Sequence, residues 1–178
     1  RGGDRVIEVA CVELVNHVAT NKHLQFYCST DRAITDEAMK THGLSNTFLK
    51  EFPPFIEGAQ NLLKFIQEDT LIIHNAEFDL GFINNELKLS GLEPLKNKFI
   101  DTVLLARKKL NTRTANLDYL CRRFSIDLSA RKIHGALLDC RLLSEVYLEL
   151  LGGRQTSLTL TDKSFNKMDS SYEKKPKT

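Results

Sequence analysis

Two aspartates stand where an isolated charge is costly. With Asp139 as position i, Leu142, Leu143, Val146 and Leu150 follow at i+3, i+4, i+7 and i+11, one apolar stripe of a helix, while Arg141, Glu145 and Glu149 fall mainly elsewhere. Asp79 repeats the pattern, with Phe82, Ile83 and Leu87 at i+3, i+4 and i+8. A carboxylate at the edge of an apolar face must find a partner or protonate. One outcome is a capping or ion-paired residue in a first helical turn, favoured by the helix dipole. The other is a shared divalent cation, because carboxylate oxygens are the ligands that Mg²⁺ and Mn²⁺ take. His134 is a candidate base. It precedes Asp139 by five residues, and Gly135 lets it lie in the loop entering the helix rather than on a divergent helical face. Imidazoles titrate near neutrality, so such a group can take a proton from water; an ordinary loop histidine is the plainer reading. Glu37 and His42 bracket a short segment before Gly43 and, taken by themselves, read as surface residues. Cys11, Cys28, Cys121 and Cys140 have no metal-like spacing and no disulfide framework, which points to a reducing cytoplasm.

These groups need a scaffold, and the pattern supplies one. Residues 6–15 are strand-like, residues 16–22 read as a turn region, and residues 24–28 read as a second strand, together an antiparallel hairpin. Helices are expected over 36–42, from Pro53-Pro54 through Ile66, over 76–89, 102–110, 116–124 and 135–151. Residues 70–74 and Phe99-Ile100 are short strands feeding two of those helices. A hairpin followed by alternating strands and helices predicts an α/β domain with a mixed sheet, and strand-to-helix junctions are where such sheets place ligands. Asp79 lies at one of them. The 178 residues, 42% hydrophobic with a net charge of +2, suit one globular domain over residues 1–153. No apolar run approaches the roughly 20 residues that cross a bilayer, so no membrane association is expected. Residues 154–178 turn polar and basic and read as a flexible tail.

Taken jointly, His74-Asn75-Ala76-Glu77-Phe78-Asp79 and His134-Gly135-Ala136-Leu137-Leu138-Asp139 resemble the second and third motifs of the DEDDh 3′–5′ exonucleases. The spacing His134-x4-Asp139 is that of the histidine branch. The likeness is closer still to the proofreading epsilon subunits of bacterial DNA polymerase III. It extends over about residues 5–160, through Asp36-Glu37-Ala38, His42-Gly43-Leu44, Asp101-Thr102, Leu104-Leu105-Ala106-Arg107-Lys108 and Gly152-Gly153. The resemblance implies a ribonuclease-H-like fold, a mixed five-stranded sheet flanked by helices. It implies that Asp79 and Asp139 help hold two divalent cations, Mg²⁺ or Mn²⁺, and that His134 is the general base. It implies that Glu37 and His42 contact the terminal nucleotide, that Phe78 lines the same pocket and that Asp101 supports the site. The implied reaction is hydrolysis at a mismatched DNA 3′ end, with cations about 4 Å apart flanking the phosphate. A frayed end enters more readily than a paired one because less unpairing energy is spent. The implied partners are the polymerase catalytic (alpha) subunit and a small theta-type subunit.

The family's first motif, Asp-x-Glu at the end of an opening strand, has no counterpart here. Asp4 and Glu8 lack its spacing and context, and residues 6–15 match the family's second strand. The chain opens Arg1-Gly2-Gly3 without an initiator Met, so the expectation is a start just after the first, central strand. Two consequences are expected of such a chain: little or no exonuclease activity, and low stability from unpaired backbone beside an apolar slot. In the tail, Gln155, Leu158 and Leu160 resemble the anchors of a sliding-clamp-binding peptide over 155–160. Two rivals stand beside DNA proofreading: a DEDDh nuclease acting on RNA or oligonucleotides, and a degenerate module that stabilises a polymerase without catalysis.

Overall fold

The computed structural model describes residues 3–153. Its first unit is an antiparallel hairpin of β1 (Glu8–Val15) and β2 (Val18–Tyr27). The turn is tighter than the expected 16–22. Only Asn16 and His17 form it, at φ of 51° and 68°, the doubly left-handed geometry that matches strand twist. The polar residues Thr20, Asn21 and Lys22 belong to β2, which carries them on a largely solvent-facing ribbon. The pairing register shifts between Val12 and Leu14, so the ribbon is irregular near its tip.

Helix α1 (Asp36–His42) starts where the Thr35 side chain accepts from Ala38 N and stops at Gly43, whose φ of 74° suits a left-handed cap. A four-residue helix, α2 (Asn46–Leu49), buries only Leu49 and was not expected from the pattern. Helix α3 (Phe55–Ile66) begins after Pro54 and packs Phe55, Ala59, Leu62 and Ile66 inward. It approaches β2 so closely at Gly58 that a Cβ there would run into the Phe26 ring.

The second unit is parallel. Strand β3 (Leu71–Ile73), helix α4 (Ala76–Leu89) and β4 (Phe99–Asp101) form a β-α-β unit, with Leu71 opposite Phe99 and Ile73 opposite Asp101. Helices α5 (Thr102–Leu110), α6 (Leu117–Arg123) and α7 (Ala136–Leu150) complete the chain, and α7 lies across the hairpin. The mixed character of the expected sheet is present, one antiparallel pair and one parallel pair. Among the described residues no strand hydrogen-bonds β1 to β3, so the sheet is divided in two.

Two apolar clusters hold these units. One gathers Ala106, Leu117, Leu120, Cys121, Leu142, Val146 and Leu150 from α5, α6 and α7. The other joins Val9 and Cys28 of the hairpin region to α3 and to Leu87 of α4. An ion pair pins the chain ahead of β1 to α4: Arg5 Nε donates to Glu86 Oε1 at 2.8 Å, and Val6 N donates to the same oxygen at 3.0 Å. Glu86 is 1% exposed, and burying a carboxylate without such hydrogen-bonding partners would be costly. All four cysteines are free thiols. Among the described residues no helix is long and apolar enough to cross a membrane. The tail over 154–178, with the anchors Gln155, Leu158 and Leu160, lies outside the described residues.

Candidate active site

The first half of the site forms where β3 meets α4. Asn75 takes a left-handed conformation, φ 67°, that turns the chain sharply from strand into helix. Asp101, at the end of the neighbouring β4, holds this turn. Its carboxylate accepts from Asn75 N at 3.2 Å, from Ala76 N at 3.0 Å and from Val103 N at 2.8 Å, so it clamps the start of α4 and caps α5 together. His74 is held by a 2.8 Å hydrogen bond between Nδ1 and Thr102 Oγ1, and burial holds its pKa below the usual imidazole value. Asp79 lies in the first turn of α4 and is open to solvent, yet loss of hydration, and then the Asp101 charge, push its carboxyl up to about 6. Among the described residues no ion pair reaches it. Phe78, 60% exposed, stacks on Phe82 at a ring separation of 4.9 Å, leaving an aromatic face beside Asp79.

The second half forms at the start of α7. Gly135 is the N-cap residue, so His134 lies in the preceding loop, as the spacing required. His134 Nδ1 comes within 3.8 Å of Asp139 Oδ2. Between them stands Arg131, to which the sequence pattern assigned no role. Its Nε donates to Asp139 Oδ1 at 2.7 Å, and Nη2 donates to Asp139 Oδ2 at 2.9 Å and contacts His134 Nδ1 at 2.8 Å. Nη1 bonds to Asp118 on α6. The apolar stripe beneath Asp139 is as read from the spacing, with Leu142, Val146 and Leu150 all buried. The carboxylate found its partner in an arginine eight residues upstream.

The halves lie within electrostatic reach of one another. The Cys140 thiol, pushed up to about 12 mainly by burial, also responds to the charges of Asp139, Asp79 and Glu8. His74, on the α4 side, responds to Arg131 and Asp139 on the α7 side. Helix α1 joins through its C-terminal end: His134 N donates to Thr41 O at 3.2 Å. His42 Nδ1 accepts from Leu44 N at 3.0 Å, which leaves the ring proton on Nε2. Burial lowers the His42 pKa, and Glu8 opposes that shift. Glu37 is exposed on α1, five residues before His42. Glu8 accepts from Ala136 N at 3.3 Å and from Gln25, and Asp4 pairs with Arg32.

The donor chemistry suits a hard divalent cation: carboxylate oxygens on Asp79 and Asp139, with Asp79 lacking a counter-charge that a cation would supply. The arrangement is incomplete. Among the described residues no three His, Cys, Asp or Glu side chains converge closely enough to hold a metal, and Arg131 takes both Asp139 oxygens.

Comparison with known proteins is specific. The exonuclease (RNase T) family model matches residues 1–147. The chain is 44% identical over 168 residues to DNA polymerase III subunit epsilon of Rickettsia conorii, covering 92% of this chain and 73% of that protein. It is 41% identical over 160 residues to the same subunit of Escherichia coli, covering 88% and 65%. Among solved structures, the nuclease domain of 3′hExo, a DEDDh family member bound to rAMP, superposes with a TM-score of 0.73 at 16% identity, over 83% of this chain and 81% of that one. At that identity the superposition speaks for the fold, which is the ribonuclease-H-like one expected.

Proposed function

Because the chain belongs to the exonuclease family, and within it to the DNA polymerase III epsilon subunits, we propose that its site serves 3′–5′ proofreading: hydrolysis of a mismatched 3′-terminal nucleotide of DNA. The observation that carries this is the pairing of motif residues at the start of α7: Asp139 and His134 stand 3.8 Å apart, and α1 is tied to the His134 loop. Asp79 and Asp139 are the residues that would hold two divalent cations, Mg²⁺ or Mn²⁺. When bound, such cations polarise a water and stabilise the departing 3′ oxygen. The protein's own groups do the rest. His134 takes a proton from the attacking water once its Nδ1 is free. The exposed Phe78 ring gives a terminal base a surface to stack on, and His42 Nε2–H and Glu37 offer a donor and an acceptor to its sugar. None of these contacts reads base identity, so fraying of the end sets the preference.

With two carboxylates in place and one of them held by Arg131, the 178-residue chain by itself is expected to turn over little DNA. The alpha subunit, a theta-type subunit, the sliding clamp (through Gln155, Leu158 and Leu160) and the reducing cytoplasm complete the setting that family membership suggests. The same incomplete cage favours one rival, a non-catalytic module that keeps the nucleotide pocket. Titration with a deoxynucleoside 5′-monophosphate in Mn²⁺, followed by NMR, tests the pocket. Binding that weakens about tenfold in Phe78→Ala is expected, whereas no binding, or binding indifferent to Phe78 and His42, removes the proposal. Release of nucleotides in Mg²⁺ tests the chemistry: near-background release is expected, and rapid release lost in Asp139→Asn contradicts the low-activity reading.

A further inference from the structure

Arg131 is the charged side chain the proposed reaction does not use. It stands in a loop, yet its side chain is only 8% exposed, because three groups enclose the guanidinium. Asp139 accepts from it with both oxygens, at 2.7 and 2.9 Å. This is the paired, planar geometry that suits arginine and no other cation side chain. A guanidinium carries no acceptor, so its 2.8 Å contact with His134 Nδ1 occupies the imidazole lone pair and leaves the ring proton on Nε2. Asp118, 43% exposed on α6, binds the remaining nitrogen.

We infer that Arg131 is a latch: it competes with divalent cations for Asp139, and while it is closed it also engages the lone pair of His134. The inference rests on the reading of Asp79 and Asp139 as cation ligands. A positive guanidinium against both oxygens repels a second cation there, so binding requires the arginine to move off. Asp118 offers it a place to stay, because that contact does not involve Asp139. Closed, the latch satisfies the acid and occupies the base in one arrangement. Open, it frees both at once. Arg131 is thus a positioning residue acting through Asp139 and His134, and cation binding is coupled to release of the imidazole.

The test is Mn²⁺ affinity of the full chain, measured from free Mn²⁺ by electron paramagnetic resonance, in wild type, Arg131→Gln, Arg131→Lys and Asp139→Asn. A latch closed in nine molecules of ten lowers apparent affinity about tenfold, so Arg131→Gln is expected to bind about tenfold tighter. Arg131→Lys keeps the charge without the two-pronged bond and is expected to fall between; it decides the question if the glutamine variant does not fold. In wild type, Mg²⁺ is expected to shift the His134 ring nitrogen resonances, and in Arg131→Gln that shift is expected to be largely present before Mg²⁺ is added. Unchanged or weaker Mn²⁺ affinity in both arginine variants overturns the latch, and if Asp139→Asn still weakens binding, the site reading survives it. Mn²⁺ binding indifferent to Asp139→Asn overturns the site reading and the latch with it.

Discussion

The starts of α4 and α7 are built on the same local plan and end in opposite electrostatic states. Each has a histidine two residues before a helical alanine and an aspartate as the fourth residue of the helix: His74, Ala76 and Asp79 in one, His134, Ala136 and Asp139 in the other. At α4 the backbone is clamped and the acid is bare. Asp101 satisfies two N–H groups at the helix start, His74 is bonded to Thr102, and Asp79 is left without an ion pair among the described residues. At α7 the backbone is lightly held and the acid is saturated. Glu8 gives Ala136 N one long bond of 3.3 Å, His134 is half exposed, and Arg131 takes both oxygens of Asp139. Spacing along the chain fixes where each carboxylate stands. Its charge environment comes from residues that other elements bring in.

Three substitutions sharpen or break this contrast. The largest effect is expected from Asp101→Ala, which strips the acceptor from three backbone donors at the starts of α4 and α5. A loss of about 2–3 kcal/mol in urea unfolding is expected, and an unchanged midpoint would mean that Asp101 does not hold the α4 turn. Glu8→Ala removes a single longer bond to the start of α7 and should cost about 0.5–1 kcal/mol in the same assay. A cost equal to that of Asp101→Ala would erase the difference between the ends. The smallest effect is expected from Asp79→Asn, and it depends on pH. The folded carboxyl, at about 6, lies above its ordinary unfolded value of roughly 3.9. Ionised Asp79 therefore works against the folded state above about 6, and that penalty disappears as pH falls to about 4. In cation-free buffer the asparagine variant should be slightly more stable near neutrality, with the advantage vanishing over that window. An advantage that grows as pH falls would reverse the sign and refute the shift.

The sequence disclosed most of the scaffold because its strongest signals were local. The stripes Phe82, Ile83, Leu87 and Leu142, Val146, Leu150 put α4 and α7 within a residue of their observed bounds. Gly43 marked the end of α1 by chemistry that acts within one turn. The hairpin tip was misread because Thr20, Asn21 and Lys22 are polar for a different reason, solvent on a strand face, than Asn16 and His17, which make the turn. Helix α2 escaped notice because four residues with one buried leucine carry no period. The placing of His134 beside Asp139 was legible from their spacing across Gly135. Arg131 was not, since nothing in its own position shows that a loop will fold it back onto Asp139 and Asp118.

The central claim is that the two helix starts make one cation-binding pocket. Mn²⁺ added at low occupancy to the ¹⁵N-labelled chain tests it directly, through paramagnetic broadening of amide signals. Residues 76–79 and 134–140 are expected to broaden together, and both sets should sharpen again in Asp139→Asn. Broadening confined to one helix start, or indifferent to Asp139, would contradict the account.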